Sequence, residues 1–218
     1  MRSLSHAVTL NNEGVSLLLQ HNHRGAIHVL MDALSSVKQM LGAPAEAKIV
    51  VDAPDLIHDS TYTIPGFQDP SCFVFARAIT LSRKDLGGVS VSDPDSMNEI
   101  AAAILLNIAL AYHHVGQVDN SFLGKAELMY ETASEIATMN QRRQGTSLLV
   151  EAASVNNLAQ IRHARGEYSH SLQGFQNLAS LLAHFGQDLQ RATCGQEVYQ
   201  GMLMNALLTT PPDAAAAA

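Results

Sequence analysis

Asn12, Asn107 and Asn157 recur at matching places in three short blocks of the chain, and His113 and His163 recur in two of them. A carboxamide donates and accepts hydrogen bonds at once, so a row of Asn side chains can hold an extended peptide backbone without demanding particular side chains. The competing use lies inside the protein, where each Asn bridges buried polar groups within or between neighbouring elements. Two imidazoles in register could act as a pH-sensitive or metal-binding pair, with His114 beside the first and Gln160 shortly before the second. Zinc needs at least a third ligand, and no Cys or carboxylate at ligand spacing supplies it. These histidines therefore read as solvated polar-face residues, with no metal and no cofactor expected.

The elements that must carry these residues follow from the blocks themselves. Asn157-Leu158-Ala159-Gln160-Ile161-Arg162-His163-Ala164-Arg165-Gly166 repeats, fifty residues later, the pattern of Asn107-Ile108-Ala109-Leu110-Ala111-Tyr112-His113-His114-Val115-Gly116. A looser copy runs from Asn12 to His21. Each block is followed by a second apolar stripe at helical spacing: Ala26, Leu30 and Ala33; Ala126, Tyr130 and Ala133; Ser171, Phe175 and Leu178. Self-similarity of this kind indicates stacked helical hairpins. The small residues Gly14, Ala109 and Ala159 let the second helix approach, and Gly116 and Gly166 supply left-handed turns, with His21 in that place in the first copy.

The expected fold is all-α, with hairpins at about 4–41, 96–139 and 144–185 and a closing helix at about 189–208. Tyr168, Leu172, Phe175, Leu178, Ala179, Leu182 and Phe185 form one stripe on the last hairpin. Five prolines and Gly87-Gly88 interrupt 43–95, which reads as an insertion after the first hairpin. Within it, Cys72 to Leu81 is rich in strand formers, with Lys48–Asp52 and Thr61–Ile64 as short partners for a small β-hairpin. Asp93-Pro94-Asp95-Ser96 followed by Glu99 marks a helix start, a capping box if Ser96 is the cap. The Pro/Ala tail, 211–218, is expected to be disordered.

Blocks of this form, with the Asn156-Asn157-Leu158-Ala159 start and the Gly166-Glu167-Tyr168 turn, resemble tetratricopeptide repeats of the kinesin-light-chain type. The whole arrangement is also similar to tetratricopeptide-like proteins of diatoms. The spacings of about ninety-five and fifty residues and the absence of Trp depart from the usual pattern. The resemblance implies a single domain over 1–210 that binds a peptide or protein in a concave groove lined by the first helices. The candidate groove residues are Asn11, Asn107, Leu110, His113, His114, Asn156, Asn157, Gln160 and His163. One version of the family grips a terminal carboxylate with cationic side chains. Here Asn107 is kept, but Asn11, Val15, Ala153 and Asn157 stand at its other positions, so no carboxylate clamp is expected.

Composition narrows the function further. A net charge of −7 with no Lys/Arg cluster argues against a nucleic-acid surface. Two unrelated cysteines, Cys72 and Cys194, fit a reducing compartment, and the location expected is cytoplasmic, with the nucleus not excluded. No secretory leader is apparent, and the longest apolar run, Ala101 to Leu106, is too short to span a bilayer, so no membrane partner is expected. Phosphate loops, nucleophile elbows and CxxC pairs are missing. The function expected is a non-catalytic protein-interaction module. The alternatives are a structural or self-associating subunit, or an enzyme with a His-lined groove. Oligomeric state stays open.

Overall fold

The computed structural model describes residues 4–41, 61–63, 73–81, 94–139, 145–192 and 196–208. Seven helices carry almost all of them: α1 (Leu4–Leu19), α2 (His23–Leu41), α3 (Pro94–Gly116), α4 (Leu123–Met139), α5 (Thr146–Ala164), α6 (Tyr168–Ala192) and α7 (Gln196–Leu208). Two short strands, β1 (Thr61–Thr63) and β2 (Arg77–Ile79), pair antiparallel with Tyr62 opposite Ala78. Lys48–Asp52 and the 211–218 tail lie outside the described residues.

α1 packs on α2, α3 on α4 and α5 on α6, and each such pair leans on the next. The even-numbered helices bury a single stripe, as amphipathic helices at a surface do. On α2 it is Ala26, Ile27, Leu30, Ala33, Leu34 and Val37; on α4 it is Ala126, Tyr130, Ala133 and Ala137. α3 and α5 are enclosed nearly all round, because α3 touches α1, α2, α4, α5 and β2 together. α3 is long and apolar enough to cross a membrane by length and composition, yet 78% of its apolar window is buried inside the protein. That burial accounts for its apolar character.

Close approach between paired helices depends on missing side chains. A Cβ on Gly14 would lie 2.5 Å from Leu30 Cγ, and one on Gly174 would lie 2.9 Å from Ala159 Cβ. Ala159 therefore acts as a small contact through Gly174, one turn beyond Ser171. The turns also separate into two kinds. After α5, Gly166 is left-handed (φ 78°), with its N–H on His163 O and the Glu167 N–H on Arg162 O. After α1, His21 takes the same conformation (φ 60°), with its N–H on Leu18 O and the Asn22 N–H on Leu17 O. Both are Schellman turns. Gly116 departs from the expectation: its φ is not positive and it ends α3 inside the helix. Its lack of a Cβ instead admits Leu123, whose Cδ2 would lie 2.5 Å away. The longer α3–α4 connection is spanned by a 3-10 turn at Asn120–Phe122, capped by Asp119.

Three further expectations change. α3 starts at Pro94, so Ser96 sits inside the helix and is not its cap. A proline is well placed in a first turn because its missing N–H would have no helical partner there. Tyr168 is 65% exposed and leaves the apolar stripe of α6 to meet the ring of His163. α6 also runs beyond Phe185, where the backbone leaves helical values (φ −123°, ψ 18°), and continues to Ala192. Gly186 follows the kink, and Tyr199 of α7 fills the space that a Cβ there would take.

Candidate functional site

The segment from Phe73 to Leu81 crosses α7, α5, α3 and α1 in turn, and asparagines on these helices hold its backbone. Asn157 accepts from the Phe75 N–H at 2.8 Å and donates to the Phe75 carbonyl at 2.8 Å. Asn107 does the same to Ile79, both at 2.8 Å. Asn12 grips Leu81 (2.8 and 2.6 Å), and Asn205 grips Phe73 (3.3 and 2.6 Å). In extended backbone a residue's own N–H and C=O point to the same edge, so one carboxamide can close on both.

The clamps divide into two matching halves. Asn11 donates to Ile79 O and to Asn12 Oδ1, while its own Oδ1 accepts from Asn107. Asn156 donates to Phe73 O and to Asn157 Oδ1, while its own Oδ1 accepts from Asn205. The α1/α3 half holds Ile79-Thr80-Leu81, and the α5/α7 half holds Phe73-Val74-Phe75, six residues earlier. Each triplet is apolar, any residue, apolar. Phe75, Ile79 and Leu81 are fully buried, and Phe73 packs where a Cβ on Gly201 would otherwise stand.

Clamp spacing along the segment follows from two lengths. An extended chain rises ~3.3 Å per residue, and packed helices stand ~8–10 Å apart. Successive helices therefore need just under three residues of strand, but the same edge returns only every second residue. The grips at 73, 75, 79 and 81 solve this with steps of two, four and two. Eight residues over three steps span about 9 Å per helix. The long step includes Arg77 and Ala78, where β1 pairs along the segment.

Asn157 uses its whole hydrogen-bonding capacity. Its second N–H donates to Tyr130 Oη at 3.0 Å, and Tyr130 in turn lies 3.2 Å from His113 Nδ1. The phenol accepts from Asn157, and its own proton can be given to His113 Nδ1 in the tautomer that carries the ring proton on Nε2. Burial, followed by the neighbouring His114, pushes the His113 pKa down to about 4, which keeps the ring neutral. Burial raises the Tyr130 phenol well above its ordinary value.

The nine candidate residues thus fall in different places. Asn11, Asn107, Asn156 and Asn157 converge on the segment, and all four are fully buried. Leu110 sits in the core, and Gln160 is buried on α5. His163 is exposed at the end of α5 against Tyr168. His113 is buried against Tyr130, so the two histidines form no metal-ligating group among the described residues. The reading as a solvated polar-face residue is thus corrected for His113, which is buried, while His163 is solvent-exposed. His114 instead meets His23, with ring centroids 3.7 Å apart, and His21 stands next to His23. Burial, then His114 and His21, lowers His23 to about 4.

Two features escaped the sequence. Asn205 completes the fourth clamp, signalled only by Asn205-Ala206-Leu207, which echoes the start of the earlier blocks at a spacing of about fifty. The histidine trio joins a turn to a helix end more than ninety residues away, and no local spacing encodes that. Comparison with protein-family models, curated proteins and solved structures yields no match to this chain.

Proposed function

We propose that this chain is a non-catalytic interaction module of the tetratricopeptide kind, whose odd-numbered helices receive an extended peptide backbone, and that its own 73–81 segment occupies that place in the resting protein. The observation that carries this reading is the row of four carboxamides, each gripping both polar groups of a single strand residue. Such grips ignore side-chain identity, so any extended segment with two apolar-x-apolar triplets six residues apart satisfies them. Tethering gives the chain's own segment an effective concentration of order mM, and a partner must outcompete it.

One observation favours a purely structural unit: Phe75, Ala78, Ile79 and Leu81 are buried as deeply as the helical core. The two readings separate in one titration. A labelled peptide with the sequence of residues 72–82 is titrated into the full chain and into the Phe75→Ala/Ile79→Ala variant. The module reading expects weak binding to the first and at least tenfold tighter binding to the second, with helix content kept. Absence of binding to a folded variant, or loss of helix content in it, makes the segment a structural part and defeats the proposal.

A further inference from the structure

We propose that His21, His23 and His114 form a binding site for a divalent first-row transition ion of the zinc type. Each offers one ring nitrogen, and the three nitrogens lie within 4.8 Å of one another. Zinc–imidazole bonds of ~2.0–2.1 Å place tetrahedral ligand atoms roughly 3.4 Å apart, so modest side-chain rotations close the set. An all-imidazole set suits zinc and its neighbours rather than magnesium or calcium. His21 is exposed, which leaves the fourth position open to water.

The backbone sets up each ligand separately. His21 holds the left-handed C′ position of the α1–α2 turn, the position that glycine fills after α5. Glycine meets that conformation without a Cβ penalty, so the histidine there stands against the local preference. Asn22 caps α2 by accepting from the Gly25 N–H at 3.1 Å, which fixes His23 at the helix start. His114 stands in the last turn of α3, packed on α2. The Nδ1 of His23 is buried without a hydrogen-bond partner, and an orphaned acceptor or donor of this kind is costly unless something binds it. Ligands from the first hairpin and from α3 would make a bound ion a staple between two hairpins.

The test uses the untagged full chain, stripped with a chelator and titrated with Zn²⁺ by calorimetry and with Co²⁺ by visible absorption. Expected are one-to-one binding, the d–d bands of nitrogen-ligated tetrahedral Co²⁺, and a Zn²⁺-dependent rise in melting temperature. His23→Gln and His114→Gln each weaken binding roughly hundredfold or more, whereas His170→Ala leaves it unchanged. His21→Gly guards against misfolding: it removes a ligand and relieves the turn, so the metal-free protein gains stability while metal affinity falls. Binding that survives His21→Gly and His114→Gln at full strength overturns the site, as does a folded wild-type chain that takes up no ion.

Discussion

Losing Asn157 or Asn12 strips the N–H and C=O of one strand residue of that partner. Losing Asn107 strands the Ile79 N–H and the Asn11 Oδ1, while Asn11 still donates to Ile79 O. The cost depends on whether water can reach the freed groups. Around Asn157 and Asn107 it cannot, because both side chains and the residues they grip are fully buried. Asn157→Ala and Asn107→Ala should each lose about 3 kcal/mol in urea denaturation. Asn12 is only part-buried, and Asn12→Ala should lose about 1 kcal/mol. Equal losses at all three sites would mean that access of water does not set the cost. Tyr130 adds a pH dependence. Its folded pKa lies above the ordinary value near 10, so above that pH the unfolded chain binds fewer protons than the folded one. Stability is therefore fully present below about pH 10 and falls as pH rises beyond it. In Tyr130→Phe that alkaline loss should be smaller, while stability at pH 7 drops by about 1–2 kcal/mol through the lost bonds to Asn157 and His113. An unchanged alkaline limb in urea titrations would place its origin elsewhere.

At the scale of elements, packing and helix preference pull in opposite directions at Gly14. An alanine there gains about 1 kcal/mol in helix propensity. Its Cβ, however, would stand 2.5 Å from Leu30 Cγ, and Leu30 is completely enclosed. Overpacking costs about 1–3 kcal/mol, so Gly14→Ala should lower the thermal midpoint rather than raise it. The paired helices were readable because small and large residues alternate at helical spacing, as Ala126, Tyr130 and Ala133 do on α4. The strand-like character of Cys72 to Leu81 was readable from its β-formers, and β2 lies within it paired to Thr61–Thr63. Its destination was not. Side-chain pattern records that a strand wants two covered faces, but its backbone edge carries no residue code. Nothing in Phe73 or Ile79 therefore names the helix whose amide will grip it. Gly116 failed for a related reason: a closing glycine can serve a turn or make room for a side chain, and only tertiary contact with Leu123 decides.

For the molecule as a whole, the segment's grip is the only described connection that touches all four odd-numbered helices in one run. Native-state hydrogen exchange at the Phe75 and Ile79 amides reports how it opens. An exchangeable segment should open well below the global unfolding free energy measured at amides of α3, by about 2 kcal/mol or more, since locally opening units lie at the low end of the range. Identical values would make the segment and helices a single cooperative unit. The same arrangement sets an order of events in synthesis. The α1/α3 half can close on Ile79 and Leu81 once α3 exists, whereas Phe73 waits for Asn205, 132 residues further along. At ~5–20 residues per second, Asn205 is made roughly 5–20 s after Asn107. Within that interval Asn157 of α5 becomes able to take Phe75, but Phe73 has no clamp until Asn205 of α7 follows. Synthesis in this order predicts a half-laced intermediate, with Phe73 open to other contacts until α7 arrives.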